Sequence, residues 1–327
     1  VALANAGDAD QRHNKDPEVL FRKAIDATRK ATEIDDRYAI AFNNMSVYLN
    51  ALAEWKADHG ADPEKVVLES VEAADRAIAI NKQQPLPYGS SGWALTITAS
   101  YRLDAGQDGR EPARRAIDRL EAVRAIDPGA VFYQRWLARA YHLLAEHERA
   151  QGLDPRPSLG KGLDVIAACY RVEAGNADCK AVEAELRAAQ AAWTTPVSLK
   201  DLEQAERLAS EAAQKLADRA DLWLSLAQVC LDRADAMVKG AAPPADLGPV
   251  LDEGLRAAET ALAKAPGSPR ALAILGALSM RRAGVETDEG RRRAAEGRAK
   301  ENLTKAFAGD PLLERRYGAA LREAGKK

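Results

Sequence analysis

The side chains with chemical potential are few, and their spacing argues against catalysis. His142 and His147 are the closest histidines, but five residues apart on a helix they diverge by about 140° and cannot chelate one ion together. Gly89-Ser90-Ser91-Gly92 has a superficial likeness to a serine nucleophile turn. It lacks the Gly-x-Ser-x-Gly spacing and the preceding strand, so Ser91 and Gly92 read as a tight helix crossing. Cys169, Cys179 and Cys230 form an odd set, ten and fifty-one residues apart, with neither zinc-site spacing nor the density of a disulfide scaffold. They point to a reducing, cytoplasmic compartment, with Cys169 and Cys230 as small core residues. Arg291-Arg292-Arg293 is the densest basic cluster, but Glu289, Glu296 and Glu301 interrupt its surroundings, as on a solvated helix face. Asp35-Asp36 reads as turn chemistry. No catalytic residue, cofactor or metal ligand is expected.

Whatever function remains must be carried by the elements themselves. The 327 residues include 46% hydrophobic and only 5% aromatic side chains, and alanine makes up about a fifth. That bias favours helix and disfavours strand. Forty-seven basic against 49 acidic residues give a formal charge of −2, too balanced to recruit nucleic acid or an anionic membrane surface. No apolar run approaches the roughly 18 residues of a membrane span. Residues 1–16 have no initiator methionine or basic leader; they read as a linker, or the tail of a preceding helix, cut from a longer chain.

Self-similarity decides the fold class. Helical patterns end at Ile34-Asp35, Ile80-Asn81, Ile126-Asp127 and Val172-Glu173, and 80−34, 126−80 and 172−126 are each 46. A bulky residue followed by a small one recurs at Met45-Ser46, Leu137-Ala138, Leu226-Ala227 and Leu275-Gly276, more weakly at Ser91-Gly92. Small residues recur where two antiparallel helices cross closely. Gly60-Ala61-Asp62-Pro63, Gly152-Leu153-Asp154-Pro155 and the looser Gly109-Arg110-Glu111-Pro112 mark the other turn: glycine closes one helix, aspartate caps the next, and proline enters its first turn. This segmentation puts all fifteen prolines outside helix interiors. It gives fourteen helices in about seven pairs, at 17–34, 37–58, 63–80, 85–105, 111–126, 129–151, 155–172, 176–193, 198–217, 220–239, 246–264, 268–284, 290–308 and 312–324.

At these residues the chain resembles the tetratricopeptide repeat. Tyr38 to Ser46 matches the opening of a family first helix, with an aromatic, an asparagine and the bulky-small pair in order; Ala116, Leu120, Val123 and Ile126 fit a second helix, and Ile126-Asp127-Pro128-Gly129 the closing turn. The usual unit is about 34 residues, so this is a long variant. Its style, rich in alanine, arginine and Asp-Pro turns, is similar to the carboxy-terminal repeat region of bacterial, myxobacterial-type serine/threonine protein kinases. The resemblance implies an all-α, right-handed superhelical solenoid over 17–327, with an irregular junction near 175–245. It also implies a non-catalytic scaffold for signalling, beside a kinase domain outside this chain, since no phosphate loop or kinase motif occurs here.

In such arrays the first helices line a concave groove that receives a peptide or partner helix. Register places Asn43, Val47, Asn50, Trp93, Arg135, Arg139, His142 and Gln228 there, with Gly89 and Leu224 alongside. The expected partner is therefore a protein or peptide segment. Asn44 matches the family's asparagine, but the basic residues of a carboxylate clamp are missing. Two alternatives stand beside this reading: a small-molecule sensor with a pocket near Trp93, and an enzyme hidden in the irregular segment 175–245. Oligomeric state is not legible.

Overall fold

The computed structural model describes residues 16–240 and 243–324. The expected amino-terminal tail apart from Asp16, and Ala241-Ala242 of the irregular turn, lie outside the described residues. Those described fold into α1 (Glu18–Ile34), α2 (Ala39–Asp58), α3 (Glu64–Ile80), α4 (Pro85–Ala105), α5 (Arg110–Ile126), α6 (Val131–Ala150), α7 (Arg156–Val172), α8 (Ala177–Trp193), α9 (Leu199–Lys215), α10 (Ala220–Lys239), α11 (Pro244–Lys264), α12 (Pro269–Val285), α13 (Glu289–Gly309) and α14 (Leu313–Ala324). No strand occurs among them. Expected and observed helix ends differ by no more than two residues.

The helices gather into two compact units, one ending at Ala174 and one beginning at Gly175. In the first unit, α2 pairs with α3, α4 with α5 and α6 with α7, while the first helices stack directly, α2 on α4 and α4 on α6. In the second, α8/α9, α10/α11 and α12/α13 are the pairs, and α8, α10, α12 and α14 form the stacked row. The fourteen described helices therefore make six pairs flanked by α1 and α14, where the sequence pattern suggested about seven.

Turn chemistry sets the 46-residue step of the first unit. Gly60, Gly106 and Gly152 close α2, α4 and α6 with φ of 68°, 73° and 72°, a left-handed conformation that costs a residue with a Cβ. Asp16, Asp62, Asp108 and Asp154 follow the same step, each Oδ1 accepting the backbone N–H two residues on at 2.8–3.0 Å. These aspartates thus make local Asx turns one residue ahead of the N-cap, rather than capping as expected. Pro17, Pro63 and Pro155 take the N-cap position. The sequence reading of the middle turn also needs correcting: the closing glycine is Gly106, and Gly109 stands where the other turns have proline. The cause is His147, which is 2% exposed. Its Nδ1 accepts the Gly109 N–H at 3.3 Å, so its Nε2–H donates to the Ala99 carbonyl at 2.8 Å. A Cβ on Gly109 would lie 2.3 Å from that imidazole.

Packing follows from the small residues at the crossings. The Ser46 and Ser70 hydroxyls meet at 2.8 Å between α2 and α3. A Cβ on Gly92 would lie 2.5 Å from the buried Leu120 of α5, and one on Gly276 2.7 Å from Leu303 of α13. Ion pairs staple successive helices with the same period: Glu18 to Lys56 at 3.2 Å and Glu64 to Arg102 at 2.6 Å. The step loosens in the second unit, where the matching small residues Ala184, Ala227 and Gly276 are 227−184 = 43 and 276−227 = 49 apart. One expectation fails there. Pro249 sits inside α11, because that helix starts at Pro244, two residues earlier than the sequence suggested, and the proline costs it one intrahelical bond.

These contacts can be tested by substitution. Gly92→Ala should destabilise the chain by about 1–3 kcal/mol through overpacking against Leu120. Gly160→Ala, at an exposed position of α7 with open space around the glycine, should stabilise it by about 0.5–1 kcal/mol; urea unfolding of both variants checks the contrast. The Arg102 guanidinium, hydrogen-bonded to Glu64, holds that carboxyl below the usual carboxylate range. Its stabilising contribution is therefore present at neutral pH and is lost as pH falls through the lowered folded pKa. Glu64→Gln should cost under about 1 kcal/mol at pH 7, and the difference from the parent should vanish in acid melts.

Candidate functional site

Counting from each helix start places equivalent residues of the first unit on one inner lattice. The second, fifth, ninth and twelfth residues are Ile40, Asn43, Val47 and Asn50 on α2, then Leu86, Gly89, Trp93 and Thr96 on α4, then Phe132, Arg135, Arg139 and His142 on α6. The structure divides this lattice into three zones.

The α2 zone is largely committed to the fold. Asn50 is fully buried; its Nδ2 donates to the Ser90 carbonyl at 2.8 Å, and its Oδ1 accepts from the Ser70 hydroxyl at 2.5 Å. Asn43 is also buried and accepts from the Ser90 hydroxyl at 3.1 Å. These two, expected in the groove, instead join α2 to α3 and α4, because a buried carboxamide must find its partners inside the protein. Val47 is half-buried.

The α4–α6 zone gathers aromatic and basic side chains. Trp93 and Trp136 have ring centres 5.7 Å apart, and both indole N–H groups are buried without an acceptor. Arg135 lies over Phe132 at 4.5 Å and over Trp136 at 5.2 Å. The Tyr133 ring stands edge-on to Phe132 and fills the space a Cβ on Gly89 would take, 1.9 Å away; burial raises its phenol pKa. The structure thus brings Trp93 and Arg135 together through Trp136, a residue that the sequence reading passed over. Trp136 packs against Trp93 where a sensor pocket was expected. Arg139 and His142 are half-buried further along α6.

The third zone is a row at the helix starts that the sequence reading also missed. Ile40, Leu86 and Phe132 are 51%, 45% and 56% exposed. They are separated by 86−40 and 132−86, both 46. Extending the repeat period to the second residue of each first helix would have found them. Beside Ile40 opens a cleft of about 650 Å³, bordered by Tyr38, Pro85 and the carboxamide residues Gln83 and Gln84, with no charged residue in its lining.

In the second unit, both ends of the Gln228 carboxamide are engaged within the protein. Its Oε1 accepts from the Tyr317 hydroxyl at 2.7 Å and its Nε2 donates to Asp232 at 2.7 Å. The irregular segment is a filled stack, with Ala184, Leu202, Ala205, Leu226 and Cys230 in one apolar core. Burial pushes the Cys230 thiol far above the usual thiol range, the wrong direction for a nucleophile. Cys230 is the free thiol, whereas Cys169 and Cys179 are each disulfide-bonded, so the expectation of reduced cysteines does not hold at those two. An open cleft of about 550 Å³ lies beside Lys200, Glu203, Arg233 and Asp246. Among the described residues there is no group of three or more potential metal ligands, and no helix is long and apolar enough to cross a membrane.

No family model matches the chain, and no curated protein matches it. Solved structures do. A monomeric mutant of IFIT1 with Gppp-AAAA aligns at a TM-score of 0.58 with 14% identity, covering 93% of this chain and 58% of that one. This likeness shows a shared fold, and the chain spans little more than half the length of that relative. A tetratricopeptide repeat protein from Thermus thermophilus aligns at 0.44 with 21% identity over 66% of this chain and 92% of its own. Another, from Parabacteroides merdae, aligns at 0.49 with 9% identity over 94% and 99%. Within each unit the fold is an all-helical, solenoid-type stack of pairs.

Asn50→Ala should cost about 1–3 kcal/mol, because the Ser70 hydroxyl and the Ser90 carbonyl lose a buried partner. Val47→Ala, half-buried on the same helix face, should cost less. Parallel chemical melts check the order.

Proposed function

We propose that the chain is a non-catalytic interaction module that binds a segment of a partner protein on the inner face of its first unit. The observation that carries this reading is the α4–α6 cluster, where Phe132 stands 56% exposed beneath the Arg135 guanidinium and next to the Trp93–Trp136 pair. Exposed aromatic and arginine side chains over packed neighbours are the composition of interface hot spots. The near-neutral charge and the uncharged cleft favour peptide over nucleic acid; the Gppp-AAAA seen with IFIT1 belongs to that protein. The filled core of the second unit and its inert Cys230 weigh against an enzyme built around them in the irregular segment.

The finer role rests on the sequence resemblance. The long repeat with its Asp-Pro turns supports a bacterial signalling scaffold, serving as the partner-binding region of a serine/threonine kinase whose catalytic domain lies outside residues 1–327.

Selection of a random-peptide phage library on the chain tests the binding reading, with a Phe132→Ser, Arg135→Ala variant of equal helicity and melting temperature as the control. Peptides enriched on the parent should bind the variant at least about tenfold more weakly, a loss of ~1.4 kcal/mol or more. Equal binding to both proteins would move the site off this face.

A further inference from the structure

The row Ile40, Leu86, Phe132 is left uncovered by the fold, and the fold does not require it. The equivalent second residues of α8, α10 and α12 are Asp178, Asp221 and Arg270, all charged, so stacking of the pairs is indifferent to apolarity at this position. In the first unit the position is apolar three times in succession and roughly half exposed each time. Three large apolar side chains at one register, one per repeat, form a ruler whose graduation is the distance between neighbouring first helices. For helices in direct contact, as α2, α4 and α6 are, that distance is about 8–10 Å.

We propose that this row reads an extended, polyproline-II-like peptide of a partner, bearing a bulky apolar residue at every third position and running across the starts of α2, α4 and α6. The proposal rests on the peptide-binding reading of this face and specifies its ligand. A polyproline-II helix repeats every three residues and rises about 9 Å in that interval, which matches the ruler. A flat β-strand repeats its facing side chains about every 7 Å and falls out of step by the second graduation. An α-helix with apolar residues seven apart advances about 10 Å and is the serious competitor on spacing alone.

The lining at the Ile40 end of the row separates these two. Beside Ile40, Tyr38 and Pro85 offer an aromatic ring and a pyrrolidine, with the carboxamide residues Gln83 and Gln84 at the rim and no charge. Aromatic-lined neutral grooves suit proline-rich segments. Carboxamides can donate to backbone carbonyls, which are unpaired in a polyproline-II chain and already paired in an α-helix. At the other end of the row, Arg135 and Tyr133 hold the Phe132 ring upright.

Fluorescence anisotropy on the full chain tests the proposal with three labelled peptides: one of repeated Leu-Pro-Gln triplets, one of the same composition with the leucines shuffled out of period, and one helical with leucine at every seventh position. The triplet peptide should bind at least about tenfold tighter than either control. Ile40→Ser, Leu86→Ser, Phe132→Ser, a triple change at half-exposed positions that should lower the melting temperature modestly and keep the parent's helicity at the assay temperature, should abolish that preference. Equal or tighter binding of the shuffled or helical peptide would overturn the proposal, as would a triple variant that binds the triplet peptide like the parent, or no binding of the triplet peptide at all. In each of these cases phage peptides lost on the Phe132→Ser, Arg135→Ala variant would still uphold the broader binding reading. If the phage selection enriches nothing either, both readings fall together.

Discussion

How near two helices can approach decides nearly everything else in this chain. The apolar stripes of α2, α4 and α6 are rich in alanine, and alanine contributes little area per residue, so stability depends on many close contacts rather than a few large ones. Close contact in turn demands that the crossing residue carry almost nothing. Ser46, Gly92 and Ala138 occupy that place in succession, each almost fully buried. A larger side chain at any of them would wedge a pair apart and rotate the lattice of inner residues that depends on it. The Gly89 and Tyr133 contact shows the same economy between neighbouring first helices.

The fold was legible because its determinants are local. A glycine with positive φ, an aspartate accepting from two residues on and an aliphatic residue closing a helix are short-range events, and their chemistry survives in the order of residues alone. The exceptions have local causes as well. Pro249 was misjudged through a two-residue error in the start of α11, and Gly109 through a histidine 38 residues away in sequence.

The inner face was harder to read, since register says which way a residue points but not what awaits it there. Asn43 and Asn50, which register assigns to the groove, are consumed by Ser70 and Ser90 on neighbouring helices. Gln228 is likewise taken by Tyr317, 89 residues away. Trp136 was invisible because it belongs to the packing side of α6, from which its ring reaches Trp93. Hydrogen-bond partners and ring contacts across helices are tertiary facts, and a single sequence holds no pattern that reveals them. The exposed row did have a signal, the 46-residue period itself, but exposure is a property that periodicity cannot report.

The imidazole of His147 has a consequence for how this chain can change. Its ring occupies the space of a side chain at position 109 and satisfies the amide there, so histidine and glycine are interdependent although they sit on different helix pairs. Restoring the proline of the other turns at position 109 would remove the N–H that Nδ1 accepts and drive atoms into the ring; removing the histidine alone would take away the acceptor of the buried Gly109 amide. Neither residue has an easy first step. A repeat array is usually thought free to drift one unit at a time, and here two neighbouring units are obliged to move together, which makes this turn a fixed point around which the rest of the first unit can diverge.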